Sequence, residues 1–366
     1  MKFKIILVFV LTLSLTSCQL GRFIFYNFAD INDHKKFPYR TILNDSIKFN
    51  FPVASIGKFP KMLTGGNNKE ISFDAYLEDN NTVAFLIIKN DTLQYERYFS
   101  GFDAERIVPS FSMAKSVTSL LIGIAIDEHL IQSVNEPITN YIPELKEKGF
   151  EKVTILHLLQ MTSGIKFNES YVNPFGDAAS FYYGTDLRKL IRKMRLEVEP
   201  GTRFDYVSGN TQLLGLVLER ALKTKTISAY LEEKLWQPLG MEFGASWSID
   251  KKKNGLEKTF CCLNARARDF AKIGRLCLNQ GNWNGKQIVS KDWIAQSTKV
   301  ETMAGSVAYY QYQWWLPSET GDFMAEGILG QFVYVNPAKK LIIVRLGKNE
   351  GKANWWNVFT GLAEAY

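Results

Sequence analysis

The sequence predicts an α/β fold in which both ends of the chain build one antiparallel sheet, with helices on both faces and a mostly helical inserted domain. Three observations support this. Strand patterns occur at residues 82–100 and again at residues 331–346, whereas residues 130–290 are dominated by helical periodicity. Strands on either side of a helical middle are explained by a single sheet that both ends complete and that helices cover.

The chain begins with a targeting signal. Lys2 and Lys4 precede a short apolar run that ends in Leu-Thr-Ser-Cys at residues 15–18. This pattern is typical of a secretory signal, too short to span a membrane as a mature helix. Its ending resembles the lipobox of bacterial lipoproteins; the alternative is an ordinary signal peptide with an accidental cysteine. The resemblance implies cleavage after residue 17, acylation of Cys18 and a membrane anchor that faces the periplasm of a bacterial cell envelope.

These patterns divide the chain into three parts. We expect a signal peptide over residues 1–17, an N-terminal lead-in over 18–75 and one main domain over 76–366, with the helical insertion at about 130–290. Within the domain, residues 82–89 and 92–100 form a predicted hairpin around the turn Asn90-Asp91. Pro109 then introduces a long helix, whose apolar residues recur at three- and four-residue steps from Met113.

The same patterns predict further strands and helices in the middle and at the end of the domain. A second predicted hairpin joins residues 331–336 to residues 341–346 through Pro337-Ala338-Lys339-Lys340, after an extended segment at 310–316. The predicted helices lie at residues 154–161, 186–194 (with Asp186 as N-cap), 211–222 and 264–278, around Trp293, and at the end of the chain around Trp355.

Charge and cysteine usage exclude several classes of protein. The net charge of +7 falls to +5 once Lys2 and Lys4 are removed, and the longest basic run is Lys251–Lys253. This does not form the patterned basic stripe of a nucleic-acid-binding protein. Cys261, Cys262 and Cys277 are an odd count with an adjacent pair, so we expect buried apolar residues rather than disulfides. No Cys-x-x-Cys or His-Glu-x-x-His occurs, which argues against zinc.

Ser112 and Lys115 form the candidate catalytic pair. A serine in the first turn of a helix and a lysine three residues later project from one face, and a hydroxyl beside an amine is a plausible activated nucleophile. A helix-capping serine with a solvent-seeking lysine is the alternative. The same spacing recurs in predicted turns and loops, as Ser55 with Lys58, Ser163 with Lys166, and Ser248 with Lys251.

The base for such a serine is not a histidine. Only His34, His129 and His157 occur, no Gly-x-Ser-x-Gly is present, and His157 lies in an apolar helix where a core role is favoured. The remaining candidates are Lys115 and a tyrosine. Tyr206, in the turn-rich loop at residues 200–210, is such a tyrosine.

Together these segments resemble the serine beta-lactamase and penicillin-recognising superfamily, in particular its class C type and the esterase and 6-aminohexanoate-dimer hydrolase branch. The matching segments cover about residues 75–365 in the family's order, and are Ser112-Met113-Ala114-Lys115, residues 154–164, residues 200–210, residues 264–271 and Gly327-Ile328-Leu329-Gly330-Gln331. The resemblance implies that Ser112 is the acylated nucleophile and that Lys115 and Tyr206 are a coupled general base and acid. It also implies an oxyanion hole made by the backbone N–H groups of Ser112 and Gln331, with no metal or organic cofactor.

Two departures from the family pattern concern the substrate. Ser208 stands where class C enzymes carry the asparagine of Tyr-x-Asn, and Ile328, Leu329 and Gly330 stand in place of Lys-Thr-Gly. The missing cation disfavours a beta-lactam carboxylate and favours a less anionic ester or amide. We expect these four residues to bind substrate. Nearby aromatic residues either line an apolar cleft or pack in the core: Tyr182, Tyr183, Trp314 and Trp315.

Three functions remain open at this point. The first is hydrolysis of a small carboxylic ester or amide through an acyl-enzyme. The second is a penicillin-interacting D-alanyl peptidase or weak class C beta-lactamase. The third is a catalytically inactive lipoprotein that binds a ligand in the same cleft.

Overall fold

A computed structural model describes residues 28–64, 70–301 and 305–366. The predicted signal peptide and Cys18 lie outside the described residues. Within the described residues there are fifteen strands and ten α-helices. No helix among them has both the length and the apolar character needed to span a bilayer.

The strands are short at the start of the chain and longer where the hairpins were predicted. They are β1 (Tyr39–Ile42), β2 (Met62–Thr64), β3 (Glu70–Ser72), β4 (Thr82–Lys89), β5 (Thr92–Tyr98), β6 (Val108–Pro109), β7 (Ala245–Ser248), β8 (Leu263–Ala265), β9 (Asn282–Trp283), β10 (Lys286–Gln287), β11 (Tyr310–Gln311), β12 (Trp314–Trp315), β13 (Phe323–Gly327), β14 (Gln331–Asn336) and β15 (Leu341–Gly347).

The helices occupy mostly the middle of the chain, as predicted. They are α1 (Phe73–Asp79), α2 (Met113–Asp127), α3 (Ile155–Leu159), α4 (Asp177–Tyr183), α5 (Leu187–Ile191), α6 (Ser208–Leu222), α7 (Ile227–Leu231), α8 (Ala267–Leu278), α9 (Lys291–Ser297) and α10 (Trp355–Glu364). Shorter 3₁₀ turns lie at Asp33–Lys35, Ile138–Asn140, Pro143–Leu145 and Phe150–Lys152, and a π-helical turn at Glu232–Trp236 follows α7.

The central sheet confirms the predicted construction from both chain ends. Its seven strands run in the order β11-β12-β13-β14-β15-β4-β5. β15 pairs antiparallel with β4, from Leu341 opposite Lys89 to Leu346 opposite Ala84. The predicted turn at Asn90-Asp91 joins β4 to β5, and the chain reverses between β14 and β15 at residues 337–340.

Helices cover both faces of this sheet because its strands are apolar on both sides. On one face, Phe85 and Ile87 of β4 pack with α1 and α10 around Phe359. On the other face, Leu86 and Ile88 belong to the larger core, which contains α2 and α8. The alternation along β4 thus assigns successive side chains to two separate cores.

A second, four-stranded sheet has the order β1-β7-β8-β6. β1 lies in the predicted lead-in and β7 and β8 in the predicted insertion, whereas β6 immediately precedes the Ser112 segment. β1 pairs with β7, from Tyr39 opposite Ser248 to Ile42 opposite Ala245. Strands of two to four residues carry too little periodicity to be recognised in a sequence. This sheet matters for the site because β6 leads directly into Ser112.

The expectation for the cysteines was wrong in one respect. Cys261 and Cys262 are buried, as predicted, but they are joined by a disulfide between adjacent residues. Cys262 has a positive φ of 70°, a left-handed backbone that a cysteine rarely adopts. Counting cysteines could not show this, because the bond closes on a neighbour instead of linking distant segments. Cys277 is a free, buried thiol.

Candidate active site

Ser112 lies at the junction of β6 and α2. Its own backbone is helical, and α2 begins at the next residue. Phe111, just before it, has a φ of 43°, a left-handed conformation that is costly for a bulky residue. Strain of this kind concentrates at functional sites, where the surrounding packing holds it. The buried Phe111 ring is that packing, because it is part of the main core.

Lys115 is one helical turn further along α2 and is 1% exposed. Its Nζ lies 2.9 Å from Ser112 Oγ, 3.1 Å from Ser208 Oγ and 2.9 Å from the carbonyl oxygen of Phe260. Burial lowers the pKa of this amine to about 8, against an opposing effect of Glu169. About a tenth of Lys115 is therefore neutral and able to accept a proton at pH 7, far more than for a solvated lysine.

Tyr206 meets this pair from the loop that precedes α6. Its hydroxyl lies close enough to the Ser112 side chain to interact with it, and its ring centroid lies 5.0 Å from Lys115 Nζ. The ring stacks on Trp315 at 5.4 Å and meets Tyr310 edge-on at 5.9 Å. Burial raises the pKa of the phenol despite its interaction with Ser112, so that Tyr206 is protonated at neutral pH.

Glu169 is a residue of the site that the sequence did not indicate. Its carboxylate accepts hydrogen bonds from both the backbone N–H and the Oγ–H of Ser208, and from the Tyr171 hydroxyl at 2.6 Å. Ser208 thus connects Glu169 to Lys115. Glu169 lies in a polar loop without periodicity, so no local pattern distinguishes it from a solvated acid.

The helices that carry these side chains are fixed by Gln313. Its backbone carbonyl accepts from Ser116 Oγ of α2 at 2.7 Å, and its side-chain Oε1 accepts from Thr211 Oγ1 of α6 at 2.6 Å. Its Nε2 donates to the carbonyl oxygens of Leu158 and Leu159 in α3. One buried residue therefore holds three helices in register beside the site, through its backbone carbonyl and its side-chain amide.

The strand beside Ser112 is β13, and the residue that touches it is Gly327. A Cβ at position 327 would lie 2.4 Å from Ser110 O and 2.9 Å from Ser112 N, so only glycine permits this approach. Gln331, whose backbone N–H is the predicted oxyanion donor, begins β14 and pairs with Gly327 of β13; it is not among the cavity-lining residues. Its side chain donates to the Gly347 carbonyl at 2.8 Å.

The predicted substrate-binding residues divide into two groups. Ser208, Ile328 and Leu329 line a cavity of about 340 Å³ that opens onto Ser112. Gly330 is not part of its lining; its carbonyl accepts from Arg345 Nη1 at 2.6 Å, and a Cβ there would lie 1.9 Å from the same nitrogen. Arg345 thus anchors the turn that presents Ile328 and Leu329.

The cavity is apolar and uncharged. None of the residues that line it carries a formal charge, and their polar side-chain groups are hydroxyls. The lining residues are Phe28, Ala29, Phe111, Ser112, Tyr171, Val172, Ala178, Ala179, Tyr182, Tyr183, Ser208, Phe260, Cys261, Ile328 and Leu329. Of the four aromatic residues considered from the sequence, Tyr182 and Tyr183 line the cavity. Trp315 packs on Tyr206 instead, and Trp314 is a core residue.

The geometry of the described residues supports neither a histidine base at His157 nor a metal site. His157 has a structural role, as favoured from the sequence, but it is a half-buried capping residue and not a core one: its Nδ1 accepts from the Thr154 N–H at 3.2 Å. Among residues 28–64, 70–301 and 305–366, no group of three or more His, Cys, Asp or Glu side chains is arranged to hold a metal ion.

Comparison with known proteins agrees with the predicted resemblance. A family model described as Beta-lactamase matches residues 73–354. The 6-aminohexanoate-dimer hydrolase of Paenarthrobacter ureafaciens is 27% identical over 310 residues, which cover 78% of this chain and 78% of that protein. A solved Bacillus anthracis structure, provisionally named a 6-aminohexanoate-dimer hydrolase, is also 27% identical, with a TM-score of 0.79 over 90% of this chain and 91% of its own.

A class C beta-lactamase mutant superposes with a TM-score of 0.59 at 14% identity, covering 79% of this chain and 93% of its own, and this likeness shows the fold alone. The superfamily resemblance and the predicted enzyme class are therefore confirmed. Because the family model spans well over half of the sequence, the chain belongs to the Beta-lactamase family and is a serine hydrolase of that fold.

Proposed function

We propose that the protein hydrolyses a neutral carboxylic ester or amide through an acyl-enzyme on Ser112. The observation that carries the proposal is the convergence of three groups. Ser112 Oγ lies 2.9 Å from Lys115 Nζ, and the Tyr206 ring centroid lies 5.0 Å from the same nitrogen, although the chain separates Tyr206 from the pair by about ninety residues. A ligand-binding protein without catalysis has no need for a buried lysine against a serine hydroxyl.

Lys115 is the general base in this mechanism. Its pKa is lowered to about 8, whereas the pKa of Tyr206 is raised, so the lysine is the group that is free to take a proton. Ser112 Oγ attacks the substrate carbonyl carbon as its proton passes to Lys115 Nζ. The protonated lysine is held by Ser208 Oγ and the Phe260 carbonyl. Tyr206 then conducts the proton to the leaving group, and water reverses these steps to release the acid.

The tetrahedral oxyanion is stabilised by backbone N–H groups in our proposal. Ser112 supplies one donor, as the family resemblance implies. For the second we propose Ile328 in place of Gln331, because Ile328 follows the Gly327 that contacts Ser112 N and itself lines the cavity. Loss of one such donor typically costs on the order of a hundredfold or more in rate.

The cavity favours a substrate with an apolar, uncharged acyl group. A carboxylate placed among its aliphatic and aromatic side chains would lose hydration without gaining an ion pair. Ile328 and Leu329 occupy the place of the cation that a beta-lactam or D-alanyl peptide carboxylate would need. The class C beta-lactamase neighbour therefore shares the fold with this protein, and we do not propose its substrate for it.

A labelling experiment tests the acyl-enzyme. A fluorophosphonate probe should label the folded protein at one serine, identified as Ser112 by mass spectrometry of the peptides, and Ser112→Ala should remain unlabelled. Tyr206→Phe should label more slowly, because the hydroxyl partner of Ser112 is lost. Labelling that persists in Ser112→Ala, or no labelling of the folded wild type, would refute the mechanism.

A substrate panel tests the specificity. We expect p-nitrophenyl esters of uncharged aliphatic acids to be turned over faster than either 6-aminohexanoate dimer or acyl-D-Ala-D-Ala. The matched variant is Leu329→Lys, which restores a cation at the cavity wall and should shift the preference towards anionic substrates. A wild type that prefers the charged substrates would contradict the proposed substrate class.

We also propose that the mature protein is a lipoprotein of the bacterial cell envelope, anchored through acylated Cys18 and facing the periplasm. The basic start, the short apolar run and the Leu-Thr-Ser-Cys ending support this. Radiolabelled palmitate should be incorporated into the wild type and not into Cys18→Ala, which should be released from membranes. An anchored Cys18→Ala protein would refute the proposal.

A further inference from the structure

The Cys261–Cys262 disulfide lies in the wall of the catalytic cavity. Cys261 lines that cavity together with Ser112 and Ser208. The bond between adjacent residues closes a small ring that includes their shared peptide unit, and Cys262 adopts the left-handed backbone. A disulfide of this kind cannot stabilise the fold by joining distant segments, because the loop that it closes contains no intervening residue. Its effect is local.

The local group that it controls is the Phe260 carbonyl. This oxygen belongs to the peptide bond that enters Cys261, and it accepts a hydrogen bond from Lys115 Nζ at 2.9 Å. The Phe260 ring also faces Lys115, with its centroid 5.8 Å from Nζ. The orientation of the carbonyl therefore depends on the backbone of the residues that follow it.

The far side of the same segment is fixed. The Cys261 carbonyl accepts from Trp247 Nε1 at 2.9 Å, and the Cys262 carbonyl accepts from the Ser248 N–H at 3.0 Å, both from β7. The disulfide ring thus stands between a rigid strand and the amine of Lys115. Because these hydrogen bonds hold the strand side, we expect a change in the ring to alter the geometry on the side that faces the amine.

We propose that the Cys261–Cys262 disulfide is a positioning element for Lys115, and that its reduction slows acylation of Ser112. This rests on the proposed function. A dithiol reductant attacks one sulfur to form a mixed disulfide, and its second thiol then displaces the cysteine; two electrons pass to the protein, which gains two thiols, and the reagent leaves as a cyclic disulfide. Cys262 is then released from the left-handed backbone, and the Phe260 carbonyl turns away from Lys115.

The test compares the rate of fluorophosphonate labelling in three states of the same protein: oxidised, reduced by dithiothreitol, and reoxidised. Alkylation and mass spectrometry establish the state of the bond. We expect the rate to fall about tenfold or more on reduction, since small misplacements of a catalytic group have effects of this size, and to recover on reoxidation. Cys277→Ala, which removes the free buried thiol, should respond in the same way as the wild type.

Two double variants separate positioning from general damage. Glycine at position 262 accepts the left-handed backbone, whereas alanine does not. Cys261→Ala/Cys262→Gly should therefore label faster than Cys261→Ala/Cys262→Ala, and neither should respond to reductant. An unchanged rate in protein whose bond is open, or equal rates in the two variants, would overturn the proposal. Failure of the oxidised wild type to label would instead refute the proposed function itself.

Discussion

Ser112–Lys115 and Ser163–Lys166 have the same spacing and entirely different surroundings. Lys115 is 1% exposed and its Nζ lies 2.9 Å from its serine. The Lys166 side chain is 70% exposed and lies 3.8 Å from the Glu197 carboxylate. Ser163 Oγ donates instead to Asn210 Oδ1 at 2.6 Å, in a turn that does not continue as a helix.

The comparison shows what a Ser-x-x-Lys spacing needs before it can be reactive. A helix brings the two side chains onto one face, and only burial lowers the pKa of the lysine enough for it to act as a base. Lys166 meets neither condition, because it lies in a solvated loop and is paired with an acid. Chemistry in this molecule is thus decided by desolvation, and the spacing supplies only proximity.

The largest expected difference between the two pairs is in the serines. Ser112→Ala removes the nucleophile, and we expect ester hydrolysis to fall by about 10⁴-fold or more. Ser163→Ala removes a buried hydrogen bond to Asn210, which costs about 1 kcal/mol of stability and leaves the rate within a fewfold. The measurement is kcat/KM on a p-nitrophenyl ester, with unfolding curves for both variants. Similar losses in the two variants would remove the distinction.

The lysines should differ next most strongly. Lys115→Met keeps the length and apolar body of the side chain but removes the base, and general-base catalysis is worth about 10²- to 10⁴-fold. Lys166→Met replaces an exposed cation and should leave kcat/KM unchanged within about twofold. A Lys115→Met enzyme that retains wild-type activity would mean that Tyr206 alone serves as the base.

The sequence predicted the parts of this arrangement that local patterns control. Apolar strand-like runs around turn residues revealed β4, β14 and β15, alternation revealed β5, and helical periodicity placed Ser112 and Lys115 on one face of α2. Contacts that backbone groups of remote loops make with the site produce no recognisable pattern in the sequence. The Phe260 carbonyl reaches Lys115 across 145 positions, and its role depends on atoms that every residue possesses.

The same limit applies to details of the site. The backbone N–H of Gln331 was predicted from a motif as an oxyanion-hole donor, and this stays a prediction. The approach of Gly327 to Ser112 depends on the register between β13 and α2, which a motif does not specify. Glu169 is one acid in a polar loop, and only the fold brings it to Ser208. The disulfide depends on a left-handed backbone at Cys262, a conformation that cannot be predicted from the residue type alone.

The burial of Lys115 also predicts a pH-dependent stability. The pKa of Lys115 is lowered to about 8 from its usual 10.5, so between these values the unfolded chain holds a proton that the folded protein has lost. Stability contributed by this group therefore rises with pH across that window. Relative to Lys115→Met, the unfolding free energy of the wild type should increase by about 3 kcal/mol from pH 8 to 10.5 in urea titrations.

Comparing wild type with variant cancels the other groups that titrate at high pH, notably tyrosines. A flat difference for Lys115→Met would show that Lys115 is solvated in the folded protein, and would remove the physical basis for its activation.

The smallest expected effect distinguishes the acids beside the two lysines. Glu169 raises the pKa of Lys115 and so opposes the effect of burial. Glu169→Gln removes that charge while its amide oxygen can still accept from the Ser208 N–H, so the neutral amine should persist to lower pH. The acidic limb of the kcat/KM profile, with a midpoint near pH 8 in the wild type, should then move to lower pH. Below the midpoint, the rate relative to the plateau should rise about two- to threefold.

Glu197→Gln is the matched control, since Glu197 stands beside Lys166 as Glu169 stands near Lys115. The acidic limb of the kcat/KM profile of Glu197→Gln should coincide with that of the wild type, because Lys166 takes no part in proton transfer. The position of the limb, and not the height of the plateau, is the decisive quantity: altered packing of Ser208 scales the rate at every pH, whereas a change in the charge near Lys115 moves the midpoint. Movement of the Glu169→Gln limb to higher pH would contradict an ammonium stabilised by this carboxylate.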